Sequence, residues 1–424
     1  MRVLLAAFAC QPHRGSEPGA GWIVAREAAL AGHEVVLVTQ RRHRPAIEAE
    51  RAGRPELAEH LRPVYIGLPA GVLEAWDRRL HLRGLQLYNL VWQLSLWRAA
   101  RRIHRRQPVD VAHHLTLSTD WVPTGLALVP GLPFVWGPLG GSERVPASCR
   151  RWLGRRGTRT ERLRRVTADP LRRLLALPAA RRARLLVAQN PLVAAQFERA
   201  GPPVVVRPHV FLDPADWPAE VDLAAPPRRP ADEPGPRRAV FAGRLLGWKG
   251  VYLALAVLAR PELGHWSLDV YGAGPERADL EAEVGRRGLT GRVVLHGQRP
   301  RTEVLGAMAA ADAFFFPTMR EAAGWVVAEA LLVGCPVVCL DHGGPAVLLG
   351  DGGGIAVAPG DEVVGGLAKA LLDSPGVARA TTAWDTAPLP GLLADWYGQA
   401  TTDPAPPVTV RPTGTADRGE AGDR

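Results

Sequence analysis

Strand and helix patterns alternate along this chain in two separate series, and that repetition restricts it to very few folds. In the first series RVLLAAFA and HEVVLVTQ read as strands, and the helical stretch GWIVAREAALAG between them stops at Gly32. VDVAHHL, LPFVWGP, ARLLVAQN and PVVVRP continue it. The pattern breaks at residues 212–237, LDPADWPAEVDLAAPPRRPADEPGPR, where seven prolines and little periodicity mark a linker. It restarts with RAVFAGRL, the helix GVYLALAVLAR, WSLDVYGAG, a helix through ADLEAEVGRRG, and then RVVLHG, AFFFP and PVVCL.

Such alternation predicts an α/β protein whose parallel sheets carry helices on both faces. The expected architecture is two Rossmann-like domains, residues 1–211 and 238–376, facing each other across a cleft. A helical segment at 377–399 is expected to pack back on the first domain, and the polar, proline-rich residues 400–424 to form a disordered tail. In paired sheets of this kind ligands bind at the carboxyl ends of strands and at helix N-termini, inside the cleft.

No run of 18 or more uncharged apolar residues exists, so a membrane-spanning helix is not expected. MRVLLAAFAC reads as a buried first strand rather than a leader, being short, preceded only by Arg2 and followed by QPHRGSEPG. Cys10, Cys149, Cys335 and Cys339 have neither metal-ligand spacing nor disulfide density, which points to reduced thiols and a cytoplasmic protein. The formal net charge is +10, and only Lys249 and Lys369 among the 52 basic residues are lysines. Thirteen arginines lie between Arg150 and Arg184 against Glu161 and Asp169, so the rest of the chain is close to neutral. A segment of this kind is a solvated helical face or meets an anionic surface. Its mixture with leucine and Trp152, together with RAARRIHRR at 98–106, leads us to expect a peripheral contact with an anionic membrane and no nucleic-acid partner.

Four stretches carry chemistry. In FAGRLLGWKG a strand ends at Gly243, and Arg244 and Lys249 project from the turn before the next helix, a phosphate-binding arrangement. A chain so poor in lysine has kept one here, where a compact ammonium suits a phosphate oxygen. In FPTMREAAGWVVAEALLVGCPVV, Gly324 breaks the pattern, so a helix opening at Trp325 and Val326 aims free amides at an anion. Glu321 then lies ahead of that helix and Glu329 one turn inside it, two carboxylates in an apolar run that need answering groups. HRGSEPGAGW places Gly19 and Gly21 after the first strand, where backbone can approach a phosphate or a sugar. GAGP supplies a second glycine turn with Gly272 and Gly274, and DVAHHLTLSTDW sets His113 and His114 at a strand end.

Taken together, GRLLGWKG, GAGP, the two glutamates separated by seven residues, and DHGG resemble the nucleotide-sugar domain of the retaining glycosyltransferases of family 4, whose fold is GT-B. ACQPHRGSEPGAGW with VWGPLGGSE resembles one branch of that family, and the likeness covers roughly residues 1–398. The resemblance implies transfer of a sugar from a UDP- or GDP-linked donor to a carbohydrate or lipid-linked acceptor, in glycan, glycolipid or polysaccharide synthesis, without cofactor or metal. By position, Arg244 and Lys249 would hold the donor diphosphate, Glu329 the ribose, and Glu321 with the backbone after Ala323 the donor sugar. Gly19 and Gly21 would approach from the other domain, and His113 or His114 would meet sugar or acceptor. The absence of a D-x-D motif is consistent with a site that holds no metal. Three features depart from the family: Ala322-Ala323 in place of Gly-Phe, PHVFLDP in place of Asn-Gly-Val-Asp, and the long basic segment. A binding protein of the same fold without turnover, or an epimerase-type enzyme, are the other readings.

Overall fold

A computed structural model describes residues 1–67, 70–213, 235–374, 378 and 384–402, with 70–86 described by their helical backbone alone. Most of the linker and of the terminal tail predicted from sequence lies outside these residues. The described parts form two parallel sheets, as the alternation requires. The first holds β1 (Arg2–Ala7), β2 (Glu34–Gln40), β3 (Leu61–Ile66), β4 (Val111–Thr116), β5 (Phe134–Leu139), β6 (Leu185–Ala188) and β7 (Val204–Val206), in the order β3-β2-β1-β4-β5-β6-β7. The second holds β8 (Arg237–Ala242), β9 (Trp266–Tyr271), β10 (Val293–Gly297), β11 (Ala313–Phe316), β12 (Val337–Leu340) and β13 (Gly354–Val357), in the order β10-β9-β8-β11-β12-β13. Both are doubly wound with the Rossmann strand order, so each has a crevice where the chain reverses direction, at β1/β4 and at β8/β11.

Central strands such as β4 and β5 are buried at every position, and so appear in the sequence as unbroken apolar runs. Two edge strands escaped that signal. β3 contains Pro63 and is half-buried from Pro63 to Ile66, and β13 is four residues long behind the glycines of GDGGG. Between β3 and β4 runs one helix, Ala70–Arg106, whose buried stripe of Tyr88, Trp92, Leu96 and Ala100 packs under the first sheet.

Two segments cross between the domains. The stretch after β5 leaves the first sheet and inserts Val145, Cys149 and Leu153 into the core of the second domain. In return, the helix Leu389–Thr401 places Leu389, Leu393, Trp396 and Tyr397 in the core of the first domain. At the junction Val210 and Leu212 face the second core while Phe211 faces the first, and Arg26 pairs with Asp213. All four cysteines are buried and free.

Candidate active site

On the second domain the site is built from the loops that follow β8 and β11. After β8 the chain turns through Gly243 and the exposed Arg244 into the short turn Gly247–Lys249, then enters the helix Val251–Leu258. That turn is fixed to the loop after β11: the Met319 amide donates to the Trp248 carbonyl at 2.8 Å, and Thr318 Oγ1 to the same oxygen at 3.3 Å. Gly250 has φ +85, and a Cβ there would lie 2.0 Å from the Pro317 carbonyl oxygen. The result brings Lys249 Nζ onto Glu321, with the Phe316 ring 5.6 Å away. Gly272 and Gly274 pack their backbone against Gly243 and Leu245, so the GAGP turn braces the Arg244 turn.

Gly324 caps the helix Trp325–Leu332 with φ +92, and the first-turn amides at Trp325 and Val326 have no intrahelical acceptors. Ala323 is buried behind them. Glu329, one turn in, is mostly buried, and burial pushes its carboxyl above the usual range. Arg301 Nε donates to its Oε1 at 2.9 Å and pulls in the opposite direction. Both carboxylates of the motif therefore have a cation partner. The sequence reading pointed to Lys249 and missed Arg301, which opens the helix after β10. A scan of every strand's carboxyl-end loop for cations finds it.

The first domain contributes the opposite wall, and here the placement differs from expectation. His113 and His114 both lie inside β4, pointing to opposite faces of the sheet and away from the cleft. His113 bonds Tyr397 Oη (3.2 Å) and the Gly137 carbonyl (2.8 Å), while His114 stacks on Trp136 with ring centroids 6.5 Å apart. Burial drives their pKa values down to about 4 and about 3. The alternation of side chains along a strand makes this outcome unavoidable once β4 continues to Thr116. Gly19 and Gly21 sit within the helix Ser16–Leu30; a Cβ at either would strike the backbone of Arg14 or Ala9, so both are accounted for by internal packing. The histidine that lines the cleft is His209, from the PHVFLDP turn, with Ser118 Oγ 3.0 Å from its Nδ1. Glu17 stands beside it and accepts from the Ser118 amide at 2.6 Å.

These walls enclose a cavity of about 270 Å³ lined by Glu17, Ser118, Gln189 and His209 on one side and Glu321–Trp325 on the other. Across it the domains are latched. Asn190 Nδ2 reaches the Ala322 carbonyl (2.9 Å) and Glu143 Oε1 (2.8 Å), and Arg320, stacked on Trp248, pairs with Glu161. The small Ala322 is part of the fit, since a Cβ added at Gly140 would come within 2.7 Å of its own. The basic segment is thus partly an interdomain strut: Gly247 packs on the Leu153 carbonyl, Arg156 donates to Pro275 O at 2.9 Å, and Trp152, expected at a membrane, sits between the guanidinium groups of Arg151 and Arg287. Among the described residues no group of three or more histidines, cysteines and carboxylates could hold a metal, and no helix is long and apolar enough to cross a membrane.

Two facing Rossmann-like domains with the cleft between their strand ends define the GT-B fold. Residues 227–383 match the sequence pattern of the family described as Glycosyl transferases group 1, and this part of the chain is a group 1 glycosyltransferase domain. Over 108 residues the chain is 39% identical to a 2-deoxystreptamine glucosyltransferase of Streptomyces kanamyceticus, covering 24% of this chain and 27% of that relative's length. It is 26% identical over 372 residues to a 2-deoxystreptamine N-acetyl-D-glucosaminyltransferase of Streptomyces fradiae, covering 80% of each. The Anabaena protein HepE, solved in complex with UDP, superposes with a TM-score of 0.57 at 18% identity, covering 93% of this chain and 99% of that one.

Proposed function

We propose that the protein is a retaining, metal-independent glycosyltransferase of family 4, moving a sugar from a nucleoside diphosphate to an acceptor hydroxyl. The observation that carries this reading is that two cation-paired carboxylates, Glu321 with Lys249 and Glu329 with Arg301, stand in the loop and the helix on either side of the helix N-terminus at Trp325. Arg244, exposed at the rim, and Lys249 meet the diphosphate, which displaces Lys249 from its resting pair with Glu321. The cation and the helix N-terminus are then in place before charge develops on the leaving group. Glu329, held by Arg301, takes the ribose hydroxyls, and Glu321 takes hydroxyls of the transferred sugar. Front-face attack passes the acceptor proton to a leaving-phosphate oxygen, so no separate protein base is required. The UDP complex of a structural neighbour and the glucosyl and N-acetylglucosaminyl transfer named for the relatives support a UDP-sugar donor.

A membrane-facing acceptor, with the protein at the cytoplasmic face, is supported by a second observation. Leu94, Leu128, Leu174 and Leu175 are exposed around an apolar groove of about 380 Å³ with Arg182 at its edge, on the outer side of the first domain. Flotation with anionic vesicles at low salt tests this surface; failure to bind counts against it.

Thermal-shift titration with UDP, GDP, ADP and TDP tests the donor site. One nucleotide should stabilise the wild type and not Lys249→Ala, and that substitution should lower kcat about 10²–10³-fold, as for other lost charge-stabilising donors. If no nucleotide stabilises the wild type, a binding protein for some other polyanion becomes the better account.

A further inference from the structure

The interdomain cavity has an unusual charge for this molecule. The chain carries +10, yet no lysine or arginine lines the cavity, whose ionisable groups are Glu17, Glu321 and His209. Glu321 is answered by Lys249. Glu17 makes no ion pair among the described residues and relies on the Ser118 amide. His209 is 1% exposed; Ser118 Oγ engages its Nδ1, and Nε2 on the other side of the ring has no hydrogen-bond partner. A buried ring nitrogen left open in this way calls for a group that completes it, and here the open atom belongs to a cavity-lining residue.

We infer that Glu17, Ser118 and His209 form the acceptor subsite and that it takes a neutral or amine-bearing polyol in preference to a phosphorylated or carboxylated sugar. The inference rests on the reading of the Glu321 loop as the donor-sugar seat, because an acceptor hydroxyl must then reach the transferred carbon from the facing wall. His209 Nε2 hydrogen-bonds one acceptor hydroxyl, and Glu17 receives a hydroxyl or an ammonium. On the first-domain wall a ligand anion would face Glu17, which has no cation partner among the described residues, while Lys249 and the helix start at Trp325 serve the donor on the opposite wall. Burial holds the His209 imidazole neutral, its pKa lowered to about 3, so it contributes a directional bond and no charge. If the acceptor is carried on a lipid phosphate, that phosphate stays outside the cavity.

Four probes of one ring shape and different charge decide the matter: glucose, glucosamine, glucuronate and glucose 6-phosphate, their affinities measured by saturation-transfer NMR with and without saturating UDP. Glucosamine should bind at least as tightly as glucose, and both anions about ten-fold more weakly. His209→Ala should weaken glucose about five- to ten-fold, with partial recovery in His209→Gln, while UDP affinity stays at the wild-type value. Glu17→Gln should remove the advantage of glucosamine over glucose while UDP affinity stays at the wild-type value, which keeps the test decisive if His209→Ala folds poorly. An anion binding as well as glucose, or His209→Ala binding glucose like the wild type, overturns the inference. UDP failing to bind the wild type sinks the donor reading separately, because the ranking of the four probes is also taken without UDP.

Discussion

The two walls of the cleft solve the burial of polar groups in opposite ways. The second-domain wall pairs charge with charge from its own sheet, Lys249 with Glu321 and Arg301 with Glu329. The first-domain wall relies on uncharged partners, with His209 against Ser118 and Glu17 against a backbone amide. Paired charges are exchangeable: an incoming anion can take the cation from its carboxylate at modest net cost. Neutral hydrogen bonds are directional and cannot be neutralised by salt. One wall is therefore suited to gripping and releasing a charged group, the other to orienting hydroxyls.

Acid should break the comparison most severely. Four buried histidines, His43, His113, His114 and His209, have pKa values lowered to about 3–4, and all lie in the first domain. A folded pKa below the unfolded 6.5 means that the unfolded chain takes up more protons, so stability present above about pH 6.5 is lost as pH falls towards 4. Asp120 works the other way, its carboxyl raised to about 6 by burial, and offsets part of the loss. The expected outcome is a melting temperature that drops by roughly 5–10 °C per pH unit below 6.5. Hydrogen exchange should show β4 and β5 opening before β8 and β11; simultaneous loss in both sheets would argue against it.

Arg301→Ala is the next largest effect. It leaves Glu329 mostly buried without its cation, at a cost of about 1–3 kcal/mol. Nucleotide affinity should fall with it, and Arg301→Lys should restore part of both, as read by thermal shift. Asn190→Ala should be smallest in stability, about 1 kcal/mol, because Asn190 also caps the helix Pro191–Phe197 by accepting from the Val193 amide at 3.1 Å. It should lower kcat several-fold with little change in nucleotide affinity, since the latch it makes to Ala322 lies across the cleft. An unchanged kcat would reduce Asn190 to a helix cap.

The second-domain wall was largely legible in the sequence because its groups stand at fixed spacing in one loop and one helix, and because a lone lysine stands out among arginines. Both Rossmann series were legible for a similar reason, as buried parallel strands are contiguous apolar runs. Arg301 was not, being one arginine among about fifty, separated from Glu329 by a strand and a helix. His209 was hidden differently. Its partner Ser118, and Glu17 which accepts from the Ser118 amide, are 91 and 192 positions away, and only the folded sheet brings the three together. His113 and His114 were conspicuous by adjacency, and adjacency within a strand sends side chains to opposite faces. The arginine segment revealed its charge but not the buried Gly157 and Leu153 that turn part of it into a strut.

The reciprocal insertion of Val145–Leu153 into one core and of the Leu389–Thr401 helix into the other has a consequence for recombination. A chimera cut at the proline-rich junction would hand each half a neighbour's missing piece: the second-domain half would lose three residues of its core, and the first-domain half a whole helix. Exchanging the first domain of this protein therefore calls for two crossovers rather than one, with the terminal helix travelling alongside residues 1–213 and the 145–171 strut matched to whichever second half receives it.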